Sequence, residues 1–312
     1  MGKKNHQQLW AHMSMLAACA LWGLMAPLGK DCMQHGFDGL SVVQFRVAGA
    51  AVLFWLTSLL MPGRQRVPKR DVLRFAGAAV FGIICNQCGF TIGLSFTSPA
   101  NASIMTTAMP VFAMVFAFVI LHEPITLKKV GGVVLGLMGA LMLILTSATA
   151  SSALVGDIRG DLLCVCAQMS YAFYLSKFNP LVRKYDPITV NKWMFTWATI
   201  FLTPLLCWHS ATTVQWQSVS LRSWLEVGYV VVVGTYVCYI LCIESQRYLR
   251  PTVVSVYNYV QPAVAVTVSV LTGLGVLKWT QGLAVVLVVL GVTLVNRSKS
   301  RQQVEQEAAT SK

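Results

Sequence analysis

The chain has 312 residues, of which 56% are hydrophobic and only 11% charged. Soluble domains carry about 25% charged residues, so this composition excludes an ordinary soluble enzyme, a disordered chain and a nucleic-acid-binding protein. The net charge of +13 then reads as a topology signal between apolar runs rather than as a nucleic-acid surface.

In chain order, ten apolar runs approach the roughly 20 residues that an α-helix needs to cross the hydrocarbon core. They cover 12–32, 40–61, 72–96, 100–121, 130–146, 161–178, 188–208, 225–245, 252–273 and 279–296. All are too long for strands, and none alternates as a membrane barrel would. The first run follows Lys3 and Lys4. It is long, lacks a clear cleavage site and precedes nine more runs, so it reads as an uncleaved helix rather than a signal peptide. The cations fall in alternating connections. Nineteen of the 24 lie on one side, and Lys30, Arg46, Arg159, Arg222 and Lys278 on the other. The positive-inside rule makes the first side cytoplasmic. Both termini are then cytoplasmic, which requires an even number of spans and agrees with ten.

A weak repeat runs through the sequence. Gly82, Pro99, Ser103 and Pro110 recur 152 residues later as Gly234, Pro251, Ser255 and Pro262. Leu127-Lys128 and Gly132 recur at an offset of 150 as Leu277-Lys278 and Gly282. Five spans per half is an odd number, so the second half enters the membrane in the opposite sense. The expected fold is an all-α polytopic membrane protein, with ten transmembrane helices arranged as two inverted five-helix repeats. The expected parts are a cytoplasmic N-terminus (1–11), a first repeat (12–146), an external linker (147–160), a second repeat (161–296) and a cytoplasmic polar tail (297–312).

Several motifs carry a family resemblance. They are Gly93-Leu94-Ser95-Phe96-Thr97-Ser98-Pro99-Ala100-Asn101-Ala102-Ser103-Ile104 with Pro110-Val111-Phe112, and His122-Glu123-Pro124-Ile125-Thr126 with Lys129 and Gly131-Gly132. Leu21-Trp22-Gly23 with Lys30, and Tyr248-Leu249-Arg250-Pro251-Thr252 with Pro262, complete the set. In order and spacing the stretch from Leu16 to Val295 resembles the EamA type of the drug/metabolite transporter superfamily. The resemblance implies a ten-helix carrier of metabolites in the cell (inner) membrane, often an exporter of amino acids or related small organics. The chain departs from the family at Gly273-Leu274-Gly275, where an acidic residue often matches Glu123.

Polar side chains at membrane depth face a bundle interior or a wet cavity. Asn86 and Gln87 sit mid-run. Gln168 and Tyr171, Tyr236 and Tyr239, and Asn258 and Gln261 form i,i+3 pairs that share helix faces. With Trp22, these residues are the candidate substrate-binding set for a neutral or zwitterionic small-molecule solute. Each serves equally as an interhelical hydrogen-bond partner. Trp197 lies mid-run on the seventh span. Glu244 with Arg247 is a candidate coupling pair for proton or exchange coupling, or a plain i,i+3 ion pair at the cytoplasmic mouth. Pro110 and Pro262 fall inside their runs, as hinges or as cavity-shaping kinks. Gly132, Gly136 and Ala140 form a small-residue stripe for close helix contact, within the chain by default and in a homodimer otherwise.

No cofactor or metal is implied. Cys85/Cys88, Cys164/Cys166 and Cys238/Cys242 have no nearby His and read as apolar fillers. The segment from Gly23 to Lys30 is one residue too long for a phosphate loop. An intramembrane enzyme would need a central acid/base cluster, but His6, His12, His35, His122 and His209 lie near ends or in loops. A channel would show pore rings, and a scaffold would not need the inverted repeat. A secondary carrier, with membrane lipid and a solute as its only partners, is the expectation.

Overall fold

The computed structural model describes residues 2–34, 36–61, 65–97, 99–148, 157–214, 216–217, 219–271 and 279–299. Within them, ten long helical segments follow one another. They are α1 (Gly2–Gln34), α2 (Gly39–Leu60), α3 (Lys69–Phe96), α4 (in two pieces, Pro99–Thr106 and Met109–Leu121) and α5 (Leu127–Ala148). The second half has α6 (Ile158–Lys177), α7 (Pro187–Thr213), α8 (Leu221–Tyr248), α9 (Pro251–Val256, then Val260–Leu271) and α10 (Trp279–Asn296). A six-residue helix, Asn179–Lys184, links α6 to α7. Gly273-Leu274-Gly275, Leu277-Lys278, His35, most of the 147–160 linker and residues 300–312 lie outside the described residues.

Among the described residues, four stretches are individually long and apolar enough to cross a bilayer: Gly39–Leu60, Lys69–Phe96, Ile104–Leu121 and Leu221–Tyr248. α6 is more polar, with Gln168, Ser170 and Tyr171 in one turn. Side chains that serve an interior lower a helix's hydropathy. The outside compensates. Leu60, Val119, Leu205 and Val289 are exposed, as lipid contact demands, and Trp10, Trp208 and Trp279 stand exposed toward helix ends, where indole favours the interface.

Aspartate starts three of these helices. Asp38, Asp157 and Asp186 accept backbone N–H bonds at the entries to α2, α6 and α7, satisfying donors that a helix start leaves open. At the end of α4, His122 adopts φ 53°. This left-handed residue ends the helix just before Pro124, which cannot continue it.

The packing maps onto itself when the two halves are exchanged. α3 packs on α6 as α8 packs on α1, and α4 packs on α6 as α9 packs on α1. α2 packs on its own counterpart α7, and α5 on its counterpart α10. α2 with α7, α3 with α6, α1 with α8 and α5 with α10 run antiparallel, as Trp55–Thr196 and Gln44–Ser210 on α2 and α7 illustrate, whereas α9 runs parallel to α1, His12 meeting Tyr257 and Gly23 lying against Gln261. This is the two-fold relation of an inverted repeat. The irregularities also match. π-turns occupy Val80–Ile84 in α3 and Val232–Val237 in α8, 152 residues apart. α4 breaks at Thr107-Ala108, and α9 tightens to a 3₁₀ turn at Tyr257–Tyr259.

Glycine sets the closest approach. A Cβ on Gly132 would meet the Gly291 carbonyl oxygen and the Val295 side chain at 2.7 Å, and one on Gly136 would strike the Tyr259 ring. The small-residue stripe is therefore used within the chain, between α5, α9 and α10. Gly131, one residue away, faces open space. Gly132→Ala should destabilise the detergent-solubilised protein by about 1–3 kcal/mol through overpacking, whereas Gly131→Ala should leave it unchanged or slightly stabilised. Thermal melting of both variants checks this, and equal melting temperatures would refute the crossing.

Candidate functional site

A cavity of about 170 Å³ lies where the two halves meet. α1 contributes Trp22, α3 contributes Asn86 and Gln87, and α6 contributes Gln168 and Tyr171. Tyr239 comes from α8, and Asn258 and Gln261 from α9. Eight of the nine residues that the sequence nominated thus share one cavity. Phe90, Thr91, Thr106 and Arg46 complete its wall.

At its centre Gln87 Nε2 donates to the Tyr239 hydroxyl over 2.8 Å. These two positions are 152 residues apart, the spacing of the repeat, so each is the other's counterpart and the pseudo-two-fold axis passes through their bond. The Tyr239 ring stands edge-on to Trp22 at 5.9 Å and to Phe195 at 4.9 Å. Trp22 Nε1 donates to the Gly234 carbonyl (2.9 Å), and Asn86 Nδ2 to the Ala167 carbonyl (3.1 Å). Gln261 Nε2 donates to Asn258 Oδ1 (3.2 Å), and Asn258 Nδ2 meets the Met109 sulfur. The Tyr171 hydroxyl lies 3.3 Å from Cys242 Sγ. The lining residues therefore do both things that the sequence left open: they bridge helices and they face the cavity. With its amide in this orientation, Gln87 Oε1 is buried and has no partner.

Arg46 is the residue that sequence reasoning assigned elsewhere, counting it among the outer loop cations. It sits inside α2, against the cavity, and its Nε donates to Thr235 Oγ1 over 3.0 Å. Its position seven residues beyond the helix start, inside an apolar run, was the available signal.

The remaining nominated residues lie off the lining. Tyr236 turns away from Tyr239: its hydroxyl meets Thr57 Oγ1 at 2.6 Å and its ring packs on Phe54. The reason is the π-turn, whose wider winding shifts the helical phase between the two tyrosines. Pro110 and Pro262 do not interrupt a continuous helix. Each falls in the first residues of the piece that follows a break, where a missing N–H is tolerated. Arg247 Nη1 lies 3.0 Å from Glu244 Oε2, with both side chains about one-third exposed.

The cation-rich side is tied shut. Met109–Leu121 packs on Pro251–Val256. His12 meets the Tyr257 hydroxyl at 2.9 Å, and the Tyr174 hydroxyl donates to Gln246 Oε1 at 3.2 Å. A buried ion pair joins Lys129 to Glu123 at 2.9 Å. Asp71 accepts bonds from Lys184 and Tyr185 and holds the Lys184 ammonium above its ordinary pKa. On the other side, Pro99–Thr106 of α4 turns to α5 and α6, and Val260–Leu271 of α9 turns to α1 and α5.

Comparison with known proteins gives this arrangement a context. A solved crystal structure superposes with a TM-score of 0.74 at 15% identity, covering 91% of this chain and 95% of the other, which establishes a shared fold. An uncharacterised transporter of Archaeoglobus fulgidus is 24% identical over 59% of this chain, and the match spans 63% of that protein's length. An S-adenosylmethionine/S-adenosylhomocysteine transporter of Chlamydia trachomatis is 26% identical over 78% of this chain and 76% of its own. The Bacillus subtilis transporter YetK, also uncharacterised, is 21% identical over 84% and 79%. The model of the EamA-like transporter family matches twice, over residues 9–145 and 158–297, once in each half of the fold, and the chain belongs to that family, within the drug/metabolite transporter superfamily.

Proposed function

We propose that this chain is a secondary carrier that exports small amphipathic organic metabolites, amino acids or related solutes, by alternating access. The observation that carries the reading is the cavity at the two-fold axis, walled by amides and aromatic rings. Such a wall offers donors, acceptors and flat apolar faces, as sites for small organic solutes do. The conformation supports a cycle. The cation-rich side is packed while the opposite halves of α4 and α9 turn to different neighbours. Exchanging the conformations of the two halves would close the second side and open the first. The positive-inside rule makes the packed side cytoplasmic, with both termini there, in the cell membrane. The name of the chlamydial relative makes S-adenosylmethionine a reasonable first probe beside a panel of amino acids.

Counterflow in proteoliposomes tests the carrier directly. Wild-type protein should exchange at least one solute of the panel, and Asn86→Leu, Gln87→Leu and Asn258→Leu should each slow that exchange about tenfold or more. Unchanged rates in all three at equal reconstitution would remove the cavity assignment. Reporter fusions at the two ends should both report a cytoplasmic location, and a split result would contradict the inverted arrangement. Coupling is to protons or to exchange, with Glu244 and Arg247 as the pair at the cytoplasmic mouth. If protons drive transport there, Glu244→Gln should abolish stimulation by a pH gradient while sparing counterflow. Retained stimulation would assign the pair to structure alone.

A further inference from the structure

We infer that Arg46 is the anchor for a solute carboxylate, and that the cargo is an amphipathic organic acid, best an α-amino acid with a flat apolar side chain. The inference rests on the carrier reading and names the solute's class. A guanidinium at membrane depth is costly unless it meets an anion or a polar cavity. Arg46 stands at the cavity with one described hydrogen bond, from Nε to Thr235 Oγ1. Among the described residues no Asp or Glu lines the cavity, and no ion pair includes Arg46. Its terminal nitrogens have no described protein partner, and they form the planar fork that matches a carboxylate. Gln87, in the same wall, has a buried acceptor, Oε1, without a donor, which suits an amino N–H. Trp22 and Tyr239 supply flat faces for the apolar part.

Arg46 also breaks the symmetry of the fold. It lies eight residues past the capping Asp38, and the residue eight past the matching cap Asp186 is Met194, fully buried in the core. The axis therefore carries one cation and not two. A solute with a single anionic end fits that asymmetry and enters in one orientation.

Phenylalanine, 3-phenylpropionate and phenylalaninamide share the aromatic body and differ in the carboxylate. Binding of each to purified protein, measured by calorimetry, should rank both carboxylates well above the amide. Arg46→Gln should lower affinity for the two carboxylates about 10- to 100-fold and leave the amide unchanged, which collapses the ratio. Arg46→Lys should restore part of that ratio. A purely structural arginine predicts the opposite pattern: all three ligands weaken together in Arg46→Gln and the ratio stays fixed. That pattern, or a wild type that binds neither carboxylate, overturns the inference. Counterflow of a neutral or cationic solute by the same wild-type protein would then leave the carrier reading standing, whereas movement of no solute of any charge would remove both.

Discussion

Inside hydrocarbon every backbone N–H and C=O must find a partner within the protein, and this fold leaves the regular helix at matching places in each half. The π-turns of α3 and α8 show how the debt is met. Ser170 on α6 donates to the Phe81 carbonyl, and Trp22 on α1 donates to the Gly234 carbonyl. Within α8 the Thr235 hydroxyl reaches the Val230 carbonyl at 2.7 Å. The helices that supply these donors, α6 and α1, are themselves counterparts. Irregular backbone is thus tolerated only where a neighbouring helix is pressed against it, and those neighbours are the walls of the cavity.

Symmetry and chemistry divide the work from there. Elements on the axis must pair with their own counterparts, so glycine on α5 meets glycine on α10, and Gln87 meets Tyr239. Gln87 and Tyr239 are different residue types at equivalent positions, and the amide N–H donates to the phenol oxygen. Interhelical hydrogen bonds in membranes average only about 0.6 kcal/mol and reach about 1.7. A single bond of this kind cannot lock the halves together, which suits a contact that must break and reform if the halves exchange conformations.

Much of this was legible in the sequence, for identifiable reasons. Spans are read from run length, and the ten runs reappear as ten helices because lipid imposes one length on all of them. Amides and aromatic rings inside apolar runs are read from their cost: Gln168 and Tyr171 share a face because α6 keeps its winding between them, and Asn258 and Gln261 both reach the cavity from either side of the end of a 3₁₀ turn. Tyr236 escaped the same logic because a π-turn leaves no mark in composition and shifts the phase. Pro110 and Pro262 were placed in the right helices. Whether a proline kinks a helix or follows a break depends on the residues just ahead of its helical piece, and Thr107-Ala108 before Met109 carries no turn signature. Arg46 was counted with loop cations because charge counting treats every cation as a statement about sidedness. One three-dimensional fact, its place beside Thr235 of α8, separates it from that set.

The departures from symmetry bear on the proposed cycle. Two conformations that interconvert must lie within a few kcal/mol of one another, and a perfect inverted repeat would make them equal. Glu123 and Lys129 form a buried pair beside the packed ends of α4 and α9 on the cation-rich side. The residue 152 positions beyond Glu123 is Gly275, so the second half has no acid there with which to repeat the pair. Breaking a buried pair by removing one partner is strongly destabilising, because an uncompensated charge remains. The pair is thus a local tie, six residues apart, that only the first half carries. In the proposed cycle this asymmetry makes the two states unequal, and a solute that binds the less stable one more tightly must supply the difference.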